Sequence, residues 1–157
     1  KTTLLIEKLY LVGAPHLMRA PHLGAPWIKD LVGLPLMLPS GRQTLRNLID
    51  DAFAEIHAVA KPVYEATSVS MLCSMAAQGL GYTVLTMGSI HREVAAGRLV
   101  ARPLQDPGTS VALTLVLNQE NSRHAEVQRV SDFIADEIRK VAKAGSWPGN
   151  PTVIELR

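Results

Sequence analysis

The sequence predicts an α/β fold on a sheet that is parallel in part. Three observations carry that prediction. Short apolar or β-branched runs alternate with helical periods along the chain. Leu45, Leu48, Ile49, Ala52, Phe53 and Ile56 recur at steps of three and four, the spacing of one buried helix face. A plan of strand, polar turn and helix occurs twice, from Leu36 and again from Pro62, and such units connect by right-handed crossovers.

The elements follow in order. Leu4-Leu5-Ile6 and Leu9-Tyr10-Leu11-Val12 read as two short strands, or as one bent at Glu7-Lys8, ended by Gly13 and Pro15. Pro15 to Pro26 is rich in Pro, His and Gly without a period and reads as an irregular surface loop. Trp27 to Val32 forms a helical turn or two. Leu36-Met37-Leu38 is a strand short enough for a sheet interior. Ser40 and Gln43 have the spacing of a capping box for the helix that follows, and Gly41 permits a tight turn before it. Pro62 to Ala66 is extended. Thr67-Ser68 can cap a helix whose face is Val69, Leu72, Cys73 and Ala76, and Gly79 stops it. Tyr82 to Leu85 is a strand, Ser89 to Ala96 a short helix, and Leu99 to Ala101 extended. Ser110 to Leu117 alternates as a strand. The last helix runs from near Ser122 to Lys143 with Val127, Val130, Ile134, Ile138 and Val141 on one stripe. The tail after it has Gly and Pro at turn spacing and no packing pattern, so it is expected loose or docked on a neighbour.

Composition narrows the function classes. The chain has 157 residues, 47% of them apolar, enough for one domain or two small lobes with a largely aliphatic core. Its formal charge is +2 and its basic residues are scattered, which excludes nucleic-acid binding by a basic stripe. Cys73 is the lone cysteine, so no disulfide forms within the chain, and a reducing, cytoplasmic setting is expected. No apolar run is long enough to span a bilayer, and the start of the chain has a strand pattern rather than that of a signal peptide.

In α/β sheets ligands bind at the carboxyl ends of strands, beside helix N-termini. Three places meet that description. Pro39, Ser40, Gly41 and Arg42 follow the Leu36–Leu38 strand. A hydroxyl, free N–H groups and a guanidinium there suit a carboxylate or another small anion, although the residues alone favour the reading of Ser40 as a plain helix cap. Thr67 and Ser68 form a second terminus, with the same two readings. Thr86, beyond the Tyr82–Leu85 strand, lines a cleft wall or is only a turn. Other chemistry finds no support. Gly79-Leu80-Gly81 lies between a helix and a strand, the reverse of a dinucleotide fingerprint. His16, His22, His57, His91 and His124 include no helical i,i+4 metal pair. Cys73 falls on an apolar helix face, as packing rather than as a nucleophile. No catalytic residue, metal site or cofactor is expected. Asp50-Asp51 beside Arg46 read as a solvated helix face.

Several longer stretches carry a resemblance: "EKLYLVGAP", "LVGLPLMLPSGRQTLRNLIDDAF", "ATSVSMLCSMAAQGLGYTVLTMGSI" and "SVALTLVLNQ" before a long terminal helix. In that order and spacing the chain resembles the effector-binding domain of LysR-type transcriptional regulators over nearly all of Leu4 to Lys143. Within the family it is most similar to the nitrogen assimilation control subgroup. The resemblance implies a periplasmic-binding-protein-like fold of two α/β lobes with a small effector between them. It implies crossing strands at residues 1–14, lobe II at 15–108, the return strand and terminal helix of lobe I at 109–144, and a tail at 145–157. The winged helix-turn-helix, its linker helix and the opening elements of lobe I have no counterpart, so the first lobe is incomplete here.

The resemblance also implies partners. A small anion or carboxylate would bind at Pro39, Ser40, Gly41 and Arg42, with Thr67, Ser68 and Thr86 facing the same cleft. The regulator would be a homo-oligomer, a dimer or tetramer. It would touch DNA only through the N-terminal domain that this chain lacks, so residues 1–157 alone are expected not to bind DNA specifically. Two other classes stand beside this one: a solute-binding receptor of the same fold, and a small α/β enzyme.

Overall fold

The computed structural model describes residues 1–41, 43–120 and 123–155. They divide into two compact units, one formed by Lys8–Thr109 and the other by Lys1–Glu7 with the chain from Ser110 onward. The division falls within the first strand, β1 (Thr2–Gly13), which is continuous where the sequence left two short strands open.

In the unit Lys8–Thr109, β1 pairs antiparallel with β4 (Thr83–Thr86) and β5 (Val100–Pro103), setting Leu11 opposite Val84 and Arg102. β2 (Met37–Pro39) and β3 (Tyr64–Ala66) pair in parallel, with Met37 beside Tyr64 and Pro39 beside Ala66. A parallel bridge between Leu36 and Tyr82 joins β2 to the entrance of β4. There the Tyr82 N–H donates to the Pro35 carbonyl at 3.0 Å and the Met37 N–H to the Tyr82 carbonyl at 2.7 Å. Gly81 makes this approach possible, because a Cβ on it would run into the Pro35 carbonyl oxygen. Gly79-Leu80-Gly81 is therefore a helix stop joined to a close backbone crossing.

Three helices cover this sheet as their periods demand. α1 (Thr44–Glu55) buries Ile49 and Phe53, α2 (Val69–Ala77) buries Leu72, Cys73 and Ala76, and α3 (Met87–Ala95) buries Ile90. With Val12, Met37, Ala66, Leu85 and Leu99 several of these form one aliphatic core. Each such side chain contributes about 1.5–3 kcal/mol when removed from water. The segment from Pro15 to Pro26 is not a plain surface loop. It folds into 3-10 turns at Leu17–Arg19 and Pro21–Leu23 that bury Met18 and Leu23, and turns of three residues are too short to print a period. A third turn, Ile28–Leu31, buries Ile28 and Leu31.

In the other unit β1 pairs with β6 (Ser110–Leu115) and β7 (Thr152–Val153), and α4 (Ala125–Lys143) packs on Leu4 and Leu5. The described part of the tail, residues 145–155, is not loose but docks on β1. Leu5 pairs with Val153, the Ile154 N–H donates to the Leu4 carbonyl at 2.9 Å, and Trp147 joins the apolar cluster while its Nε1–H donates to Glu7 at 3.2 Å. The open edge of β1 supplies the backbone partners that the tail's sequence does not advertise. α4 keeps only part of its expected face: Ile138 packs against the Leu4–Leu5 cluster, but most of the contact falls elsewhere. Ser131, Ala135, Arg139 and Ala142 are buried, whereas Val130, Phe133, Ile134 and Val141 are exposed. Short side chains allow the helix to lie close to β1, and the branched residues turn outward.

Candidate functional site

The parallel pairing of β2 and β3 aligns their carboxyl ends. One step beyond Pro39 and Ala66 the register brings Ser40 beside Thr67, and the Ser40 N–H donates to the Ala66 carbonyl at 3.0 Å. The isolated parallel bridge between Leu36 and Tyr82 sets the start of β4, which ends at Thr86, alongside β2. Ser40, Thr67 and Thr86 each lie on the segment that leads from a strand into a helix, and Ser40 follows Pro39 as Thr67 follows its register partner Ala66.

These helices begin at Thr44, Val69 and Met87 after N-cap residues Gln43, Ser68 and Thr86. None of the three N-termini receives a side-chain cap. The nearby hydroxyls bond to one another instead, Ser68 to Ser70 at 2.7 Å and Thr86 to Ser89 at 3.2 Å. The first-turn N–H groups therefore keep their donor capacity and the partial positive charge of a helix start.

The Ser40–Gln43 capping box does not form. Ser40 still belongs to the strand side, because its N–H is used in the crossing to Ala66. Gly41 then turns the chain at φ +71°, and the helix starts only after Gln43. Pro39 is buried, Ser40 half-buried, and Gly41, Thr67 and Ser68 exposed. Arg42 lies outside the described residues.

Arg46 is the cation that sequence reasoning passed over. It is not part of a solvated face: its side chain is only 16% exposed. Its Nε donates to both Asp50 oxygens at 3.0 and 2.9 Å, and its Nη1 donates to Glu65 at 2.6 Å and to the Pro39 carbonyl at 3.2 Å. The bond to Glu65 raises the Arg46 pKa above its ordinary value; burial opposes this and Asp50 adds to it. Arg46 thus ties α1 to the ends of β2 and β3. Its signal in the sequence was an i,i+4 pair with Asp50, but only the fold brings in Glu65.

A cavity of about 670 Å³ lies at the opposite end of β2, against Pro35, Leu36, Phe53 and Val59, and includes none of the expected site residues. Its side-chain lining is apolar apart from Lys61, so it offers few polar groups to orient a ligand. Among the described residues no group of three or more His, Cys, Asp and Glu side chains gathers as metal ligands, and no helix is long and apolar enough to cross a membrane. Cys73 is buried, which raises its thiol pKa, with Glu93 adding to the effect.

Strand ends, uncapped helix starts and the hydroxyls between them define a periplasmic-binding-protein-like α/β domain of the effector-binding class. The chain belongs to the family of LysR substrate binding domains, whose model matches residues 1–139. It is 55% identical over 151 residues to the HTH-type transcriptional regulator BbuR of Bordetella bronchiseptica, covering 96% of this chain and 46% of that protein. The chain therefore spans about half the length of this curated relative. The regulatory domain of MetR, a LysR family regulator from N. meningitidis, superposes with a TM-score of 0.72 at 15% identity, covering 98% of this chain and 68% of that one. The effector-binding domain of QuiR in complex with shikimate superposes at 0.71 with 17% identity, covering 88% and 64%.

Proposed function

We propose that the chain is the effector-sensing part of a LysR-type transcription regulator and that a small anion or carboxylate seats on Ser40, Thr67 and Thr86. The observation that carries this reading is that the helices following β2, β3 and β4 all start without a bond from the N-cap side chain, just beyond the carboxyl ends of those strands. Pro39, Gly41 and Ser68 shape the seat, and Arg42, the next residue in the sequence after Gly41, is the cation assigned to the ligand. Shikimate, the molecule held by QuiR, is a small hydroxylated carboxylate of the kind such a seat suits. Binding favours one conformation of the regulator by differential affinity and so changes transcription.

In this reading DNA is contacted by a part of the regulator outside the matched segment, the regulator is a cytoplasmic homo-oligomer, and the domain turns over no substrate. The nitrogen assimilation control relatives remain the subgroup proposed for it.

The test is thermal unfolding against a panel of small carboxylates, amino acids, sulfate and phosphate. A ligand at one hundred times its Kd adds about 2.7 kcal/mol, a shift of several degrees in a domain of this size. The shift should disappear in Ser40→Ala. A panel that leaves the transition unmoved, or a shift that persists in Ser40→Ala, Thr67→Ala and Thr86→Ala, refutes the seat. Turnover of any panel compound refutes the sensor.

A further inference from the structure

In the unit that contains α4, a cavity of about 520 Å³ is bounded by Asp136, Arg139, Lys140, Lys143 and Glu155. Arg139 belongs to the short-residue face of α4 and is only 7% exposed. A buried guanidinium has five N–H donors to satisfy and a charge to balance. Its Nε donates to the Ile154 carbonyl at 3.0 Å. Its Nη1 lies 3.8 Å from Asp136, beyond hydrogen-bond reach, and that carboxylate is 80% exposed. Its Nη2 is buried without a hydrogen-bond partner. Two cations flank it. Lys143 meets Glu155 at 2.6 Å and Lys140 meets Glu137 at 3.3 Å. Both Lys143 and Glu155 are more than half exposed, so their pair exchanges readily with solvent ions.

We propose that this cavity is a second anion site, taking a small oxyanion (a carboxylate or a phosphate) between Arg139 and Lys143, with Glu155 as the internal carboxylate that the ligand displaces. The cations around the cavity outnumber its carboxylates, Asp136 and Glu155, by one. Arg139 and Lys143 lie one helical turn apart on α4 and so present their charges to the same space. An entering oxyanion replaces Glu155 on Lys143 and balances the Arg139 charge, which Asp136 meets only at 3.8 Å. Glu155 already places a carboxylate oxygen 2.6 Å from Lys143 Nζ, and this bond lowers the Glu155 pKa. The site does not rest on the strand-end seat, since none of its residues belongs to that unit.

The test titrates inorganic phosphate, sulfate and acetate into the full chain at constant ionic strength, read by calorimetry and by the NMR signal of the Arg139 Nε–H. Binding should saturate and move that signal. Saturation by phosphate and sulfate identifies the ligand as phosphate-like, and by acetate as a carboxylate. Lys143→Gln should weaken binding roughly fivefold and Glu155→Gln should tighten it by a similar factor. Both substitutions are at exposed positions, so the fold survives them. Ser40→Ala should change nothing, which separates this site from the proposed effector seat. A response linear in salt, affinity unchanged in Lys143→Gln, or weaker binding in Glu155→Gln overturns the proposal.

Discussion

Replacing Thr83 with valine should stabilise the protein. Thr83 stands in β4 opposite Val12 and is fully buried, and its Oγ1 has no hydrogen-bond partner. A buried hydroxyl left without a partner costs about 1–3 kcal/mol. Valine keeps the β-branched shape and exchanges the hydroxyl for a methyl, so the penalty is removed and no cavity opens. Taken at the lower half of that range, Thr83→Val adds about 1–2 kcal/mol, which raises Tm by about 2–8 °C at this chain length. Thr83→Ala lacks both methyls of the valine and should fall about 1–3 kcal/mol below Thr83→Val. The chain has two compact units, so the assay is urea unfolding combined with native-state hydrogen exchange at the β4 amides, which reports on the unit that contains the substitution. A Thr83→Val protein that is less stable than the parent would refute the reasoning, because the hydroxyl would then be making a bond worth keeping.

Three further outcomes follow from the geometry. Gly81→Ala forces its Cβ against the Pro35 carbonyl and breaks the two backbone bonds at the β2–β4 crossing, so it should cost about 2–4 kcal/mol in urea unfolding. Arg46→Leu removes the donors to Asp50, Glu65 and Pro39 and should cost about 1–2 kcal/mol, much of which a cycle with Glu65→Gln assigns to that pair. Burial raises the Cys73 pKa in the folded chain, so its contribution is fully present below the unfolded thiol pKa of about 8.5 and is lost as pH rises through the higher folded value. Stability measured upward from pH 8 should therefore fall less steeply in Cys73→Ala than in the parent.

Periodic elements were legible because burial writes a period into the sequence. The faces of α1 and α2 appear in the order of their apolar residues, and Ile49, Phe53, Leu72, Cys73 and Ala76 are buried as that order requires. What failed depends on long-range geometry. A Ser–x–x–Gln spacing matches a capping box, but the crossing to Ala66 draws Ser40 onto the strand. On α4 the period shows that one face is apolar. It does not say which face meets β1, and Ser131, Ala135 and Ala142 do so because small residues allow closer approach. Arg46 looked like half of a surface pair, since Glu65 reaches it only through the β2–β3 pairing. The tail carries its partners on the open edge of β1, where no local pattern could register them.

The uncapped helix starts give the proposed seat its energetic logic. A side-chain cap stabilises a helix by about 1 kcal/mol, and Ser68 and Thr86 have the hydroxyls to supply one at α2 and α3. These hydroxyls bond to Ser70 and Ser89 instead, so the unliganded seat forgoes about 2 kcal/mol at these two helices alone. A ligand oxygen that accepts from the first-turn N–H groups recovers that stabilisation only when it binds. A seat already capped would gain nothing from the ligand and could not be moved by it. In the proposed sensor this stabilisation would shift the population only as far as it is larger in one conformation than in the other.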